Sequence, residues 1–185
     1  MGYAIAEKLA EQGAQVTLIS GPVNISMNRS NIEIIKVESA EEMYKASLDC
    51  FPYLNGAVMT AAVADFSPSK PEKIKTKRGK EKWMLELQPT KDIAAQLGKI
   101  KKSNQLLVGF ALETNDELEN ARKKLQKKNF DFIVLNSLND AGAGFGVDTN
   151  KITILDKDNN LQSFELKSKT EVAADIVEKI ISYSA

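Results

Sequence analysis

The sequence lacks histidine entirely and contains a single cysteine, Cys50. The absence of histidine excludes a Ser-His-Asp triad, a Cys-His dyad and any imidazole acid or base working near neutral pH. With one cysteine, the chain can form neither an internal disulfide nor a zinc site of the usual Cys/His kind. This cysteine usage favours a reducing compartment, so we expect a cytoplasmic protein. Any catalysis must use lysine, arginine, carboxylates, amides, hydroxyls or a bound ion.

An excess charge and long apolar runs are also absent. The 185 residues carry 25 Lys+Arg against 25 Asp+Glu, which argues against general binding of nucleic acid, since that requires a basic surplus. The longest apolar runs, such as 57–64, are far shorter than the roughly 20 residues that span a bilayer. We therefore expect no membrane segment and no signal peptide. The length predicts a single domain over residues 1–185.

Helical and strand-like patterns alternate along the chain. Helices are predicted over 2–13, 39–50, 91–100 and 115–129 and after Ser168, and strands over 15–20, 32–37, 57–66, 83–88, 105–112 and 131–136. A hairpin over 151–156 and 161–167 follows. The pattern predicts an α/β fold of the Rossmann-like, doubly wound kind, with a mostly parallel sheet and a C-terminal β-hairpin. Ligands of such sheets bind beyond the carboxyl ends of the strands.

The chain opens on a helix, whereas a doubly wound domain normally opens on a strand followed by a Gly-rich turn. Two explanations stay open at this point. Either the architecture differs, or the chain begins after its natural first strand.

A lysine-rich loop over about 67–82 interrupts the pattern and contains too little apolar surface to form core. In an extended segment Lys73, Lys75 and Lys77 would point to one side, where an anion such as a triphosphate would relieve their repulsion. The alternative is a solvated surface loop. Pro68 and the length of the loop favour an active-site lid.

Other candidates are less distinctive. Lys124 and Lys128 lie one turn apart on a helix, but cations near a helix C-terminus also complement its dipole. Asp65 follows a predicted strand and is either a ligand contact or a turn former. Phe110 is either a stacking residue or core. The glycines of 141–150 precede a strand rather than a helix, so they do not make a dinucleotide fingerprint.

Five motifs in order resemble the phosphopantothenate–cysteine ligase family of coenzyme A biosynthesis. They are 1-MGYAIA-6, 61-AAVADF-66 with 71-PEKIK-75, 90-TKDIA-94, 109-GFALETN-115 with the later R-K-K-L, and 143-AGFG-146 before Asp148. The resemblance covers essentially the whole chain. It implies a ligase that uses CTP and Mg²⁺ to activate 4′-phosphopantothenate as an acyl-cytidylate, releases pyrophosphate, and then joins the acyl group to cysteine with release of CMP.

The resemblance also implies the roles of particular residues. Asp65 resembles the residue that reads the cytosine, and Lys73 the catalytic lysine that grips the phosphates. Phe110 would pack on the nucleotide, with Lys124 and Lys128 at its phosphates. The nucleotide-contacting turn and the acyl-nucleotide pocket correspond to Lys91, Asp92, Ile93 and Ala94 and to Ala61 and Ala62, respectively. Thr90 and Lys91 depart from the Asn-Pro that the family commonly has there. No residue is assigned as a metal ligand.

The family implies a homodimer, to which the hairpin 151–167 could contribute, and a fused or associated decarboxylase, which alone would bring FMN. Its usual first strand, Gly-rich turn and an Asn-bearing segment would precede Met1, which explains the opening helix. We therefore expect the isolated chain to be weakly active or inactive. The alternative is a non-catalytic nucleotide-binding or dimerisation module. A Rossmann oxidoreductase is not supported, because neither a G-x-G-x-x-G turn nor a Tyr-x-x-x-Lys pair is present.

Overall fold

The computed structural model describes residues 1–71, 74, 75, 77, 78, 83–113, 115–137 and 148–183, and of Ser137 only the backbone. The helices are α1 (Gly2–Glu11), α2 (Ala40–Cys50), α3 (Ile93–Ile100), α4 (Glu117–Lys127) and α5 (Lys169–Ser182), with a 3₁₀ turn at Phe51–Tyr53. The strands are β1 (Val16–Ser20), β2 (Ile32–Lys36), β3 (Gly56–Met59), β4 (Phe66–Pro68), β5 (Leu87–Pro89), β6 (Leu106–Glu113), β7 (Phe132–Ser137), β8 (Thr149–Asn150), β9 (Ile152–Asp156), β10 (Leu161–Ser163) and β11 (Lys167–Ser168). None of the described helices is long and apolar enough to cross a membrane.

A five-stranded sheet in the order β10-β9-β7-β6-β3 forms the centre of the fold. Strands β3, β6 and β7 are parallel, and β9 and β10 add to β7 as an antiparallel hairpin. The predicted α/β class, the mostly parallel sheet and the C-terminal hairpin are therefore confirmed.

Both faces of this sheet are covered by helices, which explains why β7 is apolar at successive positions. Phe132 and Val134 pack with α1 and α5, while Ile133 and Leu135 pack with α3 and α4 on the other face. A strand buried on both sides needs a continuous apolar run rather than an alternating one.

Capping boxes begin two of the helices. Ser39 and Glu42 form one at the start of α2, and Ser168 forms a second one with Glu171 at the start of α5. Gly13, predicted to end the first helix, has φ +88°, a conformation that glycine adopts without a Cβ penalty.

Strands β1 and β2 form a separate two-stranded parallel sheet. Among the described residues, no strand pairs with the edge of β3 that faces away from β6, nor with the second edge of β1.

Three strand predictions were wrong. Of 161–167 only Leu161–Ser163 pairs with β9, while Lys167–Ser168 pairs with β8. The segment 57–66 is not one central strand, because β3 ends at Met59 and lies at the edge of its sheet, and Phe66 begins a different strand, β4. Likewise 83–88 is not a full strand, because only Leu87–Pro89 pairs, antiparallel to β4, while Trp83 and Met84 are exposed. Several residues of the predicted lid, Lys73 among them, lie outside the described residues, so the lid also stays a prediction.

Candidate functional site

The candidate site lies where the parallel strands reach their carboxyl ends. Strand β6 ends there at Glu113, and α4 begins just after it. Helix α3 runs back from the same edge toward the start of β6, so its N-terminal residue Asp92 also lies at this edge. The edge therefore collects side chains from separate elements, as expected for a ligand site in this class of fold.

Lys124 reaches this edge from α4. Its Nζ donates a hydrogen bond to Glu113 Oε1 at 2.5 Å, and Asn120 Nδ2 donates to Glu113 Oε2 at 3.4 Å. The Glu113 side chain is 14% exposed, whereas that of Lys124 is 43% exposed. The carboxylate is thus fixed inside the fold, while part of the lysine side chain faces solvent.

Lys128, at the end of α4, pairs with Asp92 at 3.2 Å. Asp92 also caps α3 by accepting a hydrogen bond from the Ala95 N–H at 3.0 Å. Burial raises the pKa of the Asp92 carboxyl, but the Ala95 N–H and the Lys128 ammonium outweigh it and hold the pKa below its usual range. Two of the predicted site elements, the turn at Asp92 and the helix lysine, are therefore brought together.

Lys91 points toward α2. Its Nζ donates to Glu41 Oε1 at 2.9 Å and lies 4.8 Å from the centre of the Tyr44 ring. The hydrogen bond to Glu41 raises the pKa of Lys91. Lys91, Lys124 and Lys128, the described lysines to which the resemblance assigns a role, are therefore all paired with carboxylates.

Asp65 lies in an exposed segment that follows β3 and includes Ala61 and Ala62. Thr90 fixes this segment, because its hydroxyl donates to the Ala64 carbonyl at 2.7 Å and its N–H donates to the Asp65 carbonyl at 2.9 Å. Within the part of the chain that the structure describes, the Asp65 carboxylate has no hydrogen-bond or ion-pair partner. It is thus an exposed acceptor held on a fixed backbone.

The remaining predicted residues are less accessible. The Ile93 side chain is 4% exposed and belongs to the core, and Ala94 packs against the same cluster. Only the backbone of Ile93 is therefore available for a ligand contact. Phe110 packs on the α1–α5 face of the sheet, and Lys124 lies on the α3–α4 face, so the sheet separates these two residues. The catalytic candidate Lys73 is outside the described residues.

Sequence reasoning named Asp92 but did not assign Glu113 or Asn136 to the site. Glu113 lies within the GFALETN motif, but the motif does not show which lysine it pairs with. Asn136, next to the end of β7, has a buried Oδ1 without a hydrogen-bond partner among the described residues. A polar residue closing an otherwise apolar strand was the signal that could have identified it. Two surface cavities, of about 410 and 540 Å³, are lined by residues that do not belong to the candidate site.

Comparison with known proteins identifies the family. The model of the DNA/pantothenate metabolism flavoprotein C-terminal domain matches residues 1–183. The chain is 56% identical over 182 residues to a protein named cysteine/cysteine sulfinic acid decarboxylase from an unknown prokaryotic organism, covering 98% of this chain and 51% of that protein. It is 44% identical over 184 residues to the coenzyme A biosynthesis bifunctional protein CoaBC of Bacillus subtilis (strain 168), covering 100% of this chain and 45% of that protein.

The chain thus spans about half the length of these curated relatives. Among solved structures, the C-terminal domain of a coenzyme A biosynthesis bifunctional protein CoaBC superposes with a TM-score of 0.80 at 35% identity, covering 97% of this chain and 79% of that one. The resemblance inferred from the motifs is confirmed at the level of the family, and the chain belongs to the DNA/pantothenate metabolism flavoprotein C-terminal domain family.

Proposed function

We propose that the chain is a CTP-dependent phosphopantothenate–cysteine ligase domain of coenzyme A biosynthesis. The observation that carries this proposal is the cluster at the carboxyl edge of the sheet. Lys124 and Lys128, one turn apart at the end of α4, pair with Glu113 and Asp92, and the Asp65 carboxylate is exposed on a loop that Thr90, two residues before Asp92, holds in place. Together with family membership, this arrangement supports a site for a nucleoside triphosphate. Lysine is suited to phosphates, and a carboxylate is suited to an exocyclic amine such as that of cytosine.

The reaction has two steps. A carboxylate oxygen of 4′-phosphopantothenate attacks the α-phosphorus of CTP, forming the acyl-cytidylate as the bond to the β-phosphate breaks and pyrophosphate leaves. The amine of cysteine then attacks the acyl carbon, the C–O bond to CMP breaks, and the amine loses a proton to water. Both steps rely on positioning and charge neutralisation, and neither requires an imidazole, in agreement with the lack of histidine.

In this proposal Lys73, Lys124 and Lys128 neutralise phosphate oxygens and Asp65 accepts from the base. Phe110 is given no role at the phosphates, because the sheet lies between it and Lys124. Ala61 and Ala62 line the acyl-nucleotide pocket. In the described residues, no group of three Asp, Glu, His or Cys side chains could hold a metal. Mg²⁺ usually keeps several waters and is held in part by substrate phosphates. Its chemistry would be neutralisation of phosphate charge.

We also propose a homodimer. Strands β4 and β5 form a ribbon with exposed apolar side chains, including Phe66 (59% exposed), Leu87 (53%) and Trp83 (69%) beside it. Contiguous apolar surface of this kind is uncommon on monomers. Light scattering is expected to give the mass of a dimer for the wild type and a lower mass for Leu87→Asp. A monomeric wild type would contradict the proposal. An accompanying decarboxylase, and FMN with it, stays a prediction.

The ligase proposal is tested by pyrophosphate release with CTP, 4′-phosphopantothenate and cysteine, in an assay sensitive enough to follow weak turnover. Release should require both CTP and phosphopantothenate and should fall at least tenfold in Lys124→Ala. The matched control is Lys123→Ala on the same helix, where the exposed Lys123 pairs with Glu119. Binding of CTP without any release of pyrophosphate would instead support the non-catalytic nucleotide-binding module.

A further inference from the structure

The lysines at the candidate site are already neutralised by carboxylates. Glu113 holds Lys124, and Asp92 holds Lys128, at 2.5 and 3.2 Å respectively. We call these two acids the edge carboxylates. A phosphate that binds either lysine must therefore compete with a carboxylate of this chain.

The edge carboxylates are held in place by contacts other than their lysines. Asp92 accepts the Ala95 N–H as the N-cap of α3. Glu113 ends β6, has a largely buried side chain and accepts a second hydrogen bond from Asn120. Each lysine reaches its carboxylate through a flexible four-carbon stem, which lets the ammonium group change partner. A lysine can thus turn to a phosphate and return while the carboxylate stays where it is.

We propose that Glu113 and Asp92 are exchange counter-ions, which compete with phosphate for Lys124 and Lys128 and so promote the release of pyrophosphate. This inference rests on the proposed function in taking pyrophosphate as the product. Without the carboxylates, two unpaired ammonium groups would hold a polyphosphate more tightly. When the carboxylates are present, each one takes the place of the departing pyrophosphate beside its lysine. The lysine ammonium groups therefore always have a negative charge next to them.

The test uses Glu113→Gln and Asp92→Asn. Both substitutions remove the charge but keep an acceptor oxygen, and asparagine caps helices about as well as aspartate. The matched control is Glu119→Gln, which removes a carboxylate from the exposed Glu119–Lys123 pair on the same helix. Binding of inorganic pyrophosphate and of CTP is measured by calorimetry, and unfolding midpoints verify that each variant is folded.

We expect each edge variant to bind pyrophosphate about fivefold more tightly than the wild type, the size of a partly exposed charge interaction. In turnover, kcat and the KM for CTP should fall together, because product release slows. Glu119→Gln should change neither affinity nor turnover. A purely structural role for the carboxylates would loosen the site and weaken binding.

Unchanged or weaker pyrophosphate binding in both folded edge variants would overturn the proposal. So would a finding that Lys124→Ala and Lys128→Ala bind pyrophosphate as the wild type does. If the wild type binds pyrophosphate but catalyses no CTP-dependent release, the ligase proposal fails, whereas the binding measurements still decide the role of the carboxylates.

Discussion

Asp131 offers the sharpest test of how the sheet is held together at the edge opposite the candidate site. It precedes β7, and its side chain is 10% exposed. It accepts hydrogen bonds from Lys101 Nζ at 2.9 Å and from the Leu107 N–H at 2.8 Å, and Lys157 lies at 3.5 Å. One carboxylate thus links the starts of two adjacent strands with a lysine from the end of α3.

Asp131→Ala should cost about 4 kcal/mol of the free energy of unfolding. Removing one member of a buried ion pair typically costs about 3–5 kcal/mol, because the other charge is left without compensation. The Leu107 N–H also loses its acceptor, which by itself costs about 1–3 kcal/mol, although the two effects overlap.

The converse change should cost much less. In Lys101→Met the Asp131 carboxylate keeps its hydrogen bond from the Leu107 N–H and still has the Lys157 ammonium group at 3.5 Å. The methionine preserves the apolar part of the lysine side chain. We expect a loss of about 1–2 kcal/mol, the usual cost of a charged hydrogen bond. The asymmetry between the two variants is the distinctive result.

Urea unfolding followed by circular dichroism measures these losses. For a domain of this size, the Asp131→Ala loss corresponds to a fall in Tm of roughly 8–16 °C. Glu119→Ala, in an exposed pair, is the control and should leave the unfolding midpoint nearly unchanged. A loss below about 1 kcal/mol for Asp131→Ala, or equal losses for Asp131→Ala and Lys101→Met, would refute the reasoning.

Three further predictions follow from packing and titration. Gly98→Ala should destabilise the fold by about 2 kcal/mol or more in urea unfolding, because a Cβ there would overlap the Lys128 backbone carbonyl; unchanged stability would contradict this contact. Burial raises the pKa of Asp156, but Asn160 and Lys179 outweigh it and lower the pKa below its usual range. Asp156 therefore stabilises the fold above the unfolded pKa of about 3.9, and this contribution is lost as the pH falls through the lower folded value; Asp156→Asn should thus show a smaller acid-induced loss of stability than the wild type. Burial and nearby carboxylates raise the pKa of Tyr183 to about 12, so an ultraviolet titration should show a late-ionising tyrosine that Tyr183→Phe removes.

Much of the fold could be predicted because its signals are local. The capping box at Ser39 is a spacing of three residues, and the apolar run of β7 lies within a single strand. The segment 57–66 failed for a physical reason. Its alanines are compatible with a buried strand and equally with an exposed loop. Hydrogen bonding to a neighbouring strand therefore determines where the strand ends, and the pairing of β3 with β6 stops at Met59.

The candidate site could likewise be predicted only where its signals are local in sequence. Lys124 and Lys128 could be selected from their spacing and from the family motifs, but their partners could not, because the pairs are made by packing between elements. Lys91 and Glu41, for example, are 50 residues apart in sequence. The sequence shows equal numbers of cationic and acidic residues but not where each cation finds its counter-charge. For the described lysines of the site, the balance is instead local, since each ammonium group has its carboxylate beside it. A patch of unpaired lysines would retain any polyphosphate, including the pyrophosphate product. Lysines that are paired with carboxylates must instead give up those ion pairs to bind a phosphate, and they can form them again when the phosphate leaves.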